Sequence, residues 1–124
     1  MTPDLLELEH TLATAVARFD QLRTWEALGE PTLGRHEALE LLALSEVLAR
    51  KAHYGRQLSV RTARAAGASW TQIGAALGTS KQAAWEAHTK WIDDQADQHR
   101  VSGVAGLAEP DVATLRDQAG DADS

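Results

Sequence analysis

The chain has no cysteine, which excludes disulfides, thiolate metal sites and cysteine nucleophiles. Methionine, tyrosine and phenylalanine occur once each, and proline three times. No uninterrupted apolar run approaches the ~18 residues that cross a bilayer, so no membrane span is expected. The first residues include Asp4, Glu7 and Glu9, where a leader needs a basic stretch followed by an apolar one. No signal peptide is expected, and the expected location is the cytoplasm. The five histidines (His10, His36, His53, His88 and His99) are scattered, and no two stand at i+3 or i+4. No His-Glu-x-x-His pattern, phosphate loop or Gly-x-Ser-x-Gly elbow is present. Asp93, Asp94, Asp97 and His99 read as a solvated helix face, because hard-metal sites usually draw ligands from a dedicated loop. No catalytic residue, cofactor or metal is therefore expected, and the chain does not read as an enzyme.

What is present is ordinary globular composition, 44% apolar and 24% charged over 124 residues. A chain of this size buries roughly two-thirds of its unfolded surface, enough for a core without staples. The net charge of −6 is unevenly spread. Residues 1–49 hold nine acids and three arginines, and residues 91–124 hold eight acids and two arginines. Between them Arg50, Lys51, Arg56, Arg61, Arg64, Lys81 and Lys90 face one acid, Glu86. A basic middle between acidic arms is the pattern of a polyanion-binding module carried by solubilising segments. It is also what a helix surface with uneven charge looks like.

The periodicities predict an all-α fold. Residues 4–28 read as one amphipathic helix, capped by Thr2 with Pro3 at the first helical position. Leu5, Leu8, Leu12, Ala15, Phe19 and Leu22 recur at alternating spacings of three and four, an a/d seam. Such a seam serves a dimer as well as a helix packed on its own domain. Gly29-Glu30-Pro31 is expected to end this helix. A second helical stretch runs over residues 36–66, with Glu46 and Arg50 as an i,i+4 pair. Gly55 inside it marks either a kink or a close helix crossing, and one helix or two fit the pattern. Gly67 ends the stretch, and Ser69-Trp70-Thr71-Gln72 has the form of a capping box. Gly78 ends a short helix, and Thr79-Ser80 opens a longer one reaching about His99. The expected organisation is a helical dimerisation region over 1–50, a DNA-binding region over 51–101 and an acidic flexible tail over 102–124. A short helix from Pro110 through Leu115 is possible in the tail.

The informative segment is RTARAAGASWTQIGAALGTSKQAAWEAHTKW, residues 61–91. It reads as helix, break, short helix, glycine turn, longer helix. Two helices crossing steeply over a short turn need a residue at ease with positive φ, which Gly78 supplies. They also need a small residue where the second crosses the first, and Gly74 stands there. Ile73 and Leu77 would seal the underside against Ala84 and Ala87. Trp70, Trp85 and Trp91 read first as core, with Trp85 the most outward of them.

This segment resembles the helix-turn-helix of small bacterial transcription regulators, in the three-helix form related to sigma-factor region 4. Gly67, Ser69, Trp70, Ile73, Gly74, Leu77, Gly78, Ser80, Gln82, Ala83, Ala84 and Trp85 carry the resemblance, over about a quarter of the chain. Thr79 stands where such motifs are commonly aliphatic, and Ala84 and Ala87 where they commonly have branched apolar residues. The resemblance implies that the helix from about residue 80 enters the major groove of double-stranded DNA. Lys81 would meet guanine and Gln82 adenine, provided Ser80 and not Thr79 is the cap. Ser80 and Thr71 would hold phosphates at helix N-termini. Arg61 and Arg64 would grip the backbone, Arg56 and Lys90 would be outer contacts, and Trp85 and Thr89 would complete the face.

One such module offers few contacts, and specific binding usually comes from dimers. Leu5, Leu8, Leu12, Phe19 and Leu22 are the expected dimerisation residues. The expected function is a homodimeric, sequence-specific transcription regulator at the nucleoid. The alternatives are a low-specificity nucleoid-associated protein and a helical adaptor that binds a protein partner without DNA. The acidic arms suggest a further possibility, competition with DNA for the basic segment.

Overall fold

The computed structural model describes residues 1–29 and 32–124. The expected role of Glu30 and Pro31 in ending the first helical stretch lies outside the described residues. The fold is all-α, with six helices among the described residues: α1 (Pro3–Glu9), α2 (Leu12–Leu28), α3 (Arg35–Ala65), α4 (Trp70–Leu77), α5 (Lys81–Ser102) and α6 (Glu109–Ala119). They form two compact units, Met1–Gly55 and Arg56–Ser124. Residues 36–66 are thus one helix, apart from its last residue. No helix of the described residues is long and apolar enough to cross a membrane.

In the first unit, the expected single helix over 4–28 is two helices. Thr2 caps α1, and Pro3 opens it. His10 is then extended, and Thr11 starts α2 through a reciprocal capping box with Thr14. A cap that satisfies two orphan amides makes a restart stable, and the restart breaks the a/d register. Leu6, outside the expected seam, becomes the buried residue of α1. Leu6, Ala15, Leu22, Leu41, Leu44 and Val47 form the core, with Phe19, Trp25, Leu33, Ala43 and Leu48 packed against it. The expected dimerisation set is therefore divided. Leu22 is fully buried in its own unit and Phe19 is half-buried, whereas Leu5, Leu8 and Leu12 are exposed. Arg18 ties α2 to α3 through a two-point ion pair with Glu40, at 2.8 and 2.6 Å. Glu46 and Arg50 make the expected pair at 3.1 Å, and Asp4 joins it at 2.7 Å from Arg50.

In the second unit, Val60, Trp70, Ile73, Ala84, Ile92, Val112, Leu115 and Ala119 form one core. Residues 102–124 were expected as a flexible tail, and instead they fold onto this core. Val112, Leu115 and Ala119 recur at spacings of three and four and give α6 a buried stripe. The return is possible because of Gly106. A Cβ there would lie 2.9 Å from the His99 nitrogen and closer still to the Gln95 carbonyl oxygen. Only glycine lets the chain pass so near α5, after which the Leu107 amide bonds the Gln95 carbonyl at 3.1 Å. Gly55, in contrast, has nothing within 4 Å of a built Cβ, so it does not mark a close helix crossing.

Candidate nucleic-acid interface

Ser69 caps α4 through a reciprocal box with Gln72, at 3.1 and 2.9 Å. Gly78 ends the helix at φ 73°, and its amide and that of Thr79 turn back onto α4 carbonyls. Gly78, Thr79 and Ser80 separate Leu77 from Lys81, where α5 begins. Gly74 is the point of closest approach. A Cβ on it would stand 2.8 Å from the Thr79 oxygen and 2.9 Å from the Ser80 carbonyl carbon. These are backbone atoms, so they cannot step aside as a flexible side chain does. The glycine therefore fixes how tightly the start of α5 lies on α4.

Ser80 is the cap of α5, accepting the Ala83 amide at 3.1 Å. Gln82 is accordingly free of the cap, and its amide donates to Glu86 at 2.9 Å instead. Ser80, Lys81 and Gln82 are all exposed at this end of α5, and Thr71 is exposed in the first turn of α4. Below them, His88 is buried between two indoles, with ring centroids 5.6 Å from Trp70 and 5.4 Å from Trp91. Its Nδ1 lies 2.9 Å from the Gln57 amide oxygen, which ties α5 to α3 between Arg56 and Arg61. Burial, helped by the nearby Arg64 charge, pushes the His88 pKa down to about 4. The imidazole is neutral at pH 7, so Nδ1–H donates to the amide oxygen. Arg56 and Arg61 are exposed, with no hydrogen-bond or ion-pair partner among the described residues.

The other expected contacts are already engaged. Arg64 does not point to solvent as a phosphate clamp. Its guanidinium donates to the carbonyls of Gln118 (2.9 Å), Ala68 (2.9 Å), Ser124 (3.1 Å) and Ala119 (3.4 Å), and it lies over the Trp70 ring. It is the C-terminal tie of α6, serving carbonyls that a helix end leaves unpaired. Lys81 holds Asp123 at 2.7 Å and keeps that carboxylate below its usual pKa range. The Trp85 indole N–H donates to the Gly120 carbonyl at 2.9 Å, and the ring is half-buried. Thr89 is half-buried and donates to the Glu86 carbonyl at 3.0 Å. Lys90 is exposed and paired with Asp94 at 3.0 Å.

The structure thus gathers Ser80, Lys81 and Gln82 at one helix end. It also gathers Arg64, Lys81 and Trp85 around a segment that sequence reasoning had left loose. Gly120, Asp123 and Ser124 belong to this site and were missed. The helical spacing of Val112, Leu115 and Ala119 is the one signal that would have placed them near it. Asp93, Asp94 and Asp97 pair with Arg116, Lys90 and Arg100 respectively. No group of three or more potential metal ligands occurs among the described residues. Compared with models of known families, with curated proteins and with solved structures, the chain matches none.

Proposed function

We propose that the chain is a sequence-specific DNA-binding protein, a homodimeric transcription regulator that sets the start of α5 in the major groove. The observation that carries this reading is the junction of α4 and α5. Gly74 leaves no room for a side chain against Thr79 and Ser80, Gly78 takes positive φ, and Ser80-Lys81-Gln82 are presented to solvent. That is the local geometry a helix-turn-helix requires. Lys81 suits guanine O6/N7 and Gln82 suits adenine N6/N7. Arg56 and Arg61 are cations with nothing else to hold, which suits phosphate contact. The homodimer would use the exposed leucines of the first unit, Leu5, Leu8 and Leu12.

Selection of bound duplexes from a random pool tests this directly. An enriched motif with two half-sites ~34 Å apart is the expected result. Log K should fall with log[salt], and Arg61→Ala should reduce that slope by about one. Lys81→Ala should relax base preference at one position. A pool that returns no motif, with binding that ignores salt, would remove the proposal. One observation favours a second reading, the protein-binding adaptor. Among the seven bases of residues 50–90, Lys51, Arg56 and Arg61 alone lack a partner among the described residues. Recovery of a protein partner without any duplex binding would decide for it.

A further inference from the structure

Three of the residues expected to touch DNA, Arg64, Lys81 and Trp85, are held by the protein's own acidic C-terminal segment. Trp70 and Arg64 fix the end of α6, the indole N–H donating to the Ala119 carbonyl at 2.7 Å. Gly120 then turns the chain at φ 56° and ψ −142°, a combination that side-chain-bearing residues rarely adopt. The four residues that follow close a compact turn. The Asp123 amide bonds the Asp121 carboxylate at 3.0 Å, and the Ser124 amide bonds the Asp121 carbonyl at 3.1 Å. The turn delivers Asp123 to Lys81 and Ser124 to Arg64, whose Nη2 meets the Ser124 hydroxyl at 3.2 Å. Trp85 holds Gly120 from the other side.

We infer that Gly120–Ser124 is an intramolecular latch that competes with duplex DNA for the start of α5, with Asp123 standing where a phosphate or an acceptor base edge would stand. The inference rests on the DNA-binding reading above and adds its regulation. Two features suit a latch better than a permanent part of the core. The Lys81–Asp123 pair is solvent-exposed, its side chains 47% and 83% accessible, so its contribution is small and screened by salt. The deeper ties, Trp70 to Ala119 and Arg64 to Gln118, lie before Gly120, so the segment can lift from that glycine while α6 stays docked. A groove of DNA brings a dense array of negative charge to the same ammonium and displaces the single carboxylate.

Three full-length variants and a short mixed-sequence duplex labelled with fluorescein test this, read by anisotropy at low salt. Asp123→Asn removes the ion pair. Gly120→Ala changes no charge but strains the turn, because a Cβ there would stand 2.6 Å from the Ser124 hydroxyl. Asp117→Asn removes one negative charge from exposed α6 surface outside the latch. Circular dichroism checks that all three are folded. A latch closed about nine-tenths of the time lowers apparent affinity about tenfold, so Asp123→Asn and Gly120→Ala should both tighten binding by several-fold up to that limit. Asp117→Asn should change it less than about twofold, since it alters only the general field. Equal tightening by Asp123→Asn and Asp117→Asn, with none from Gly120→Ala, would reduce the effect to net charge and overturn the latch. Wild-type binding unchanged in all three variants would overturn the latch while leaving the DNA reading intact. No binding by any of the four proteins would overturn both.

Discussion

In Met1–Gly55 the six buried core residues are all aliphatic, and Leu5, Leu8, Leu12, Val16, Leu39 and Leu42 stay exposed around them. In Arg56–Ser124 the core includes Trp70 and His88, and both indole N–H groups of Trp70 and Trp85 reach backbone carbonyls at the end of α6. The contrast shows two ways of using a small amount of apolar surface. Aliphatic burial is non-directional, and it leaves apolar side chains exposed around the core of the first unit. Aromatic side chains with polar tips are directional, and they fix where the C-terminal segment lies. Position is what the second unit must control if α5 is to present a reading edge.

The largest expected break of this contrast is Trp70→Ala. The indole is fully buried, lies tilted against His88, carries Arg64 on its face and bonds Ala119. Truncation of a buried aromatic costs about 3–5 kcal/mol, and here the Ala119 carbonyl also loses its indole donor. Urea unfolding followed by near-UV circular dichroism reads the loss. Phe19→Ala in the first unit should cost clearly less, because the ring is only half-buried. Equal costs would mean that the aromatic core does not set the second unit apart.

Acid sharpens the comparison next. His88 is buried and neutral with a pKa of about 4, whereas in the unfolded chain it titrates near its ordinary value of 6.5. The unfolded state therefore binds the proton first as pH falls. Stability is whole above pH 6.5 and declines from there to about pH 4, by at most about 3 kcal/mol. In the first unit none of His10, His36 and His53 is buried. Its acid-sensitive contact is Glu40, held below its ordinary value of 4.5 by the hydrogen bond from Arg18. That contribution is present above pH 4.5 and goes only as pH falls lower. The second unit should thus loosen first on acidification, seen as a downfield-to-random shift of the Trp70 indole N–H resonance while the Leu22 and Leu44 methyls keep their native positions. Loss of both sets together at pH 4 to 6.5 would contradict the assignment.

The helices were legible where local chemistry decides them. Ser69 with Gln72, Ser80, Gly78 and the crossing at Gly74 are short-range statements, and each is in the structure where the sequence puts it. The split at His10–Thr11 was not legible, because apolar spacing carries straight across it and the cap at Thr11 outweighs the seam. The docking of α6 was hidden for another reason. Its acids dominate the composition of residues 102–124, while three buried residues and one glycine at 106 decide its position. Arg64 shows the limit most clearly. Charge and neighbourhood point to phosphate, but carbonyls at a helix end brought back from 54 or more residues away take its donors. No reading of residues 61–91 alone contains those partners.

Gly55 gives the smallest test and the one nearest the boundary between the two units. It lies within α3, where glycine costs up to about 1 kcal/mol relative to alanine. Nothing stands within 4 Å of a Cβ built on it, and its φ is not in the left-handed region. Neither a close approach nor a strained turn therefore accounts for the residue. Gly55→Ala should raise stability by about 0.5–1 kcal/mol, through better helix propensity and a less flexible unfolded chain. Thermal unfolding measures it. A loss of stability would mean that α3 needs freedom at this point.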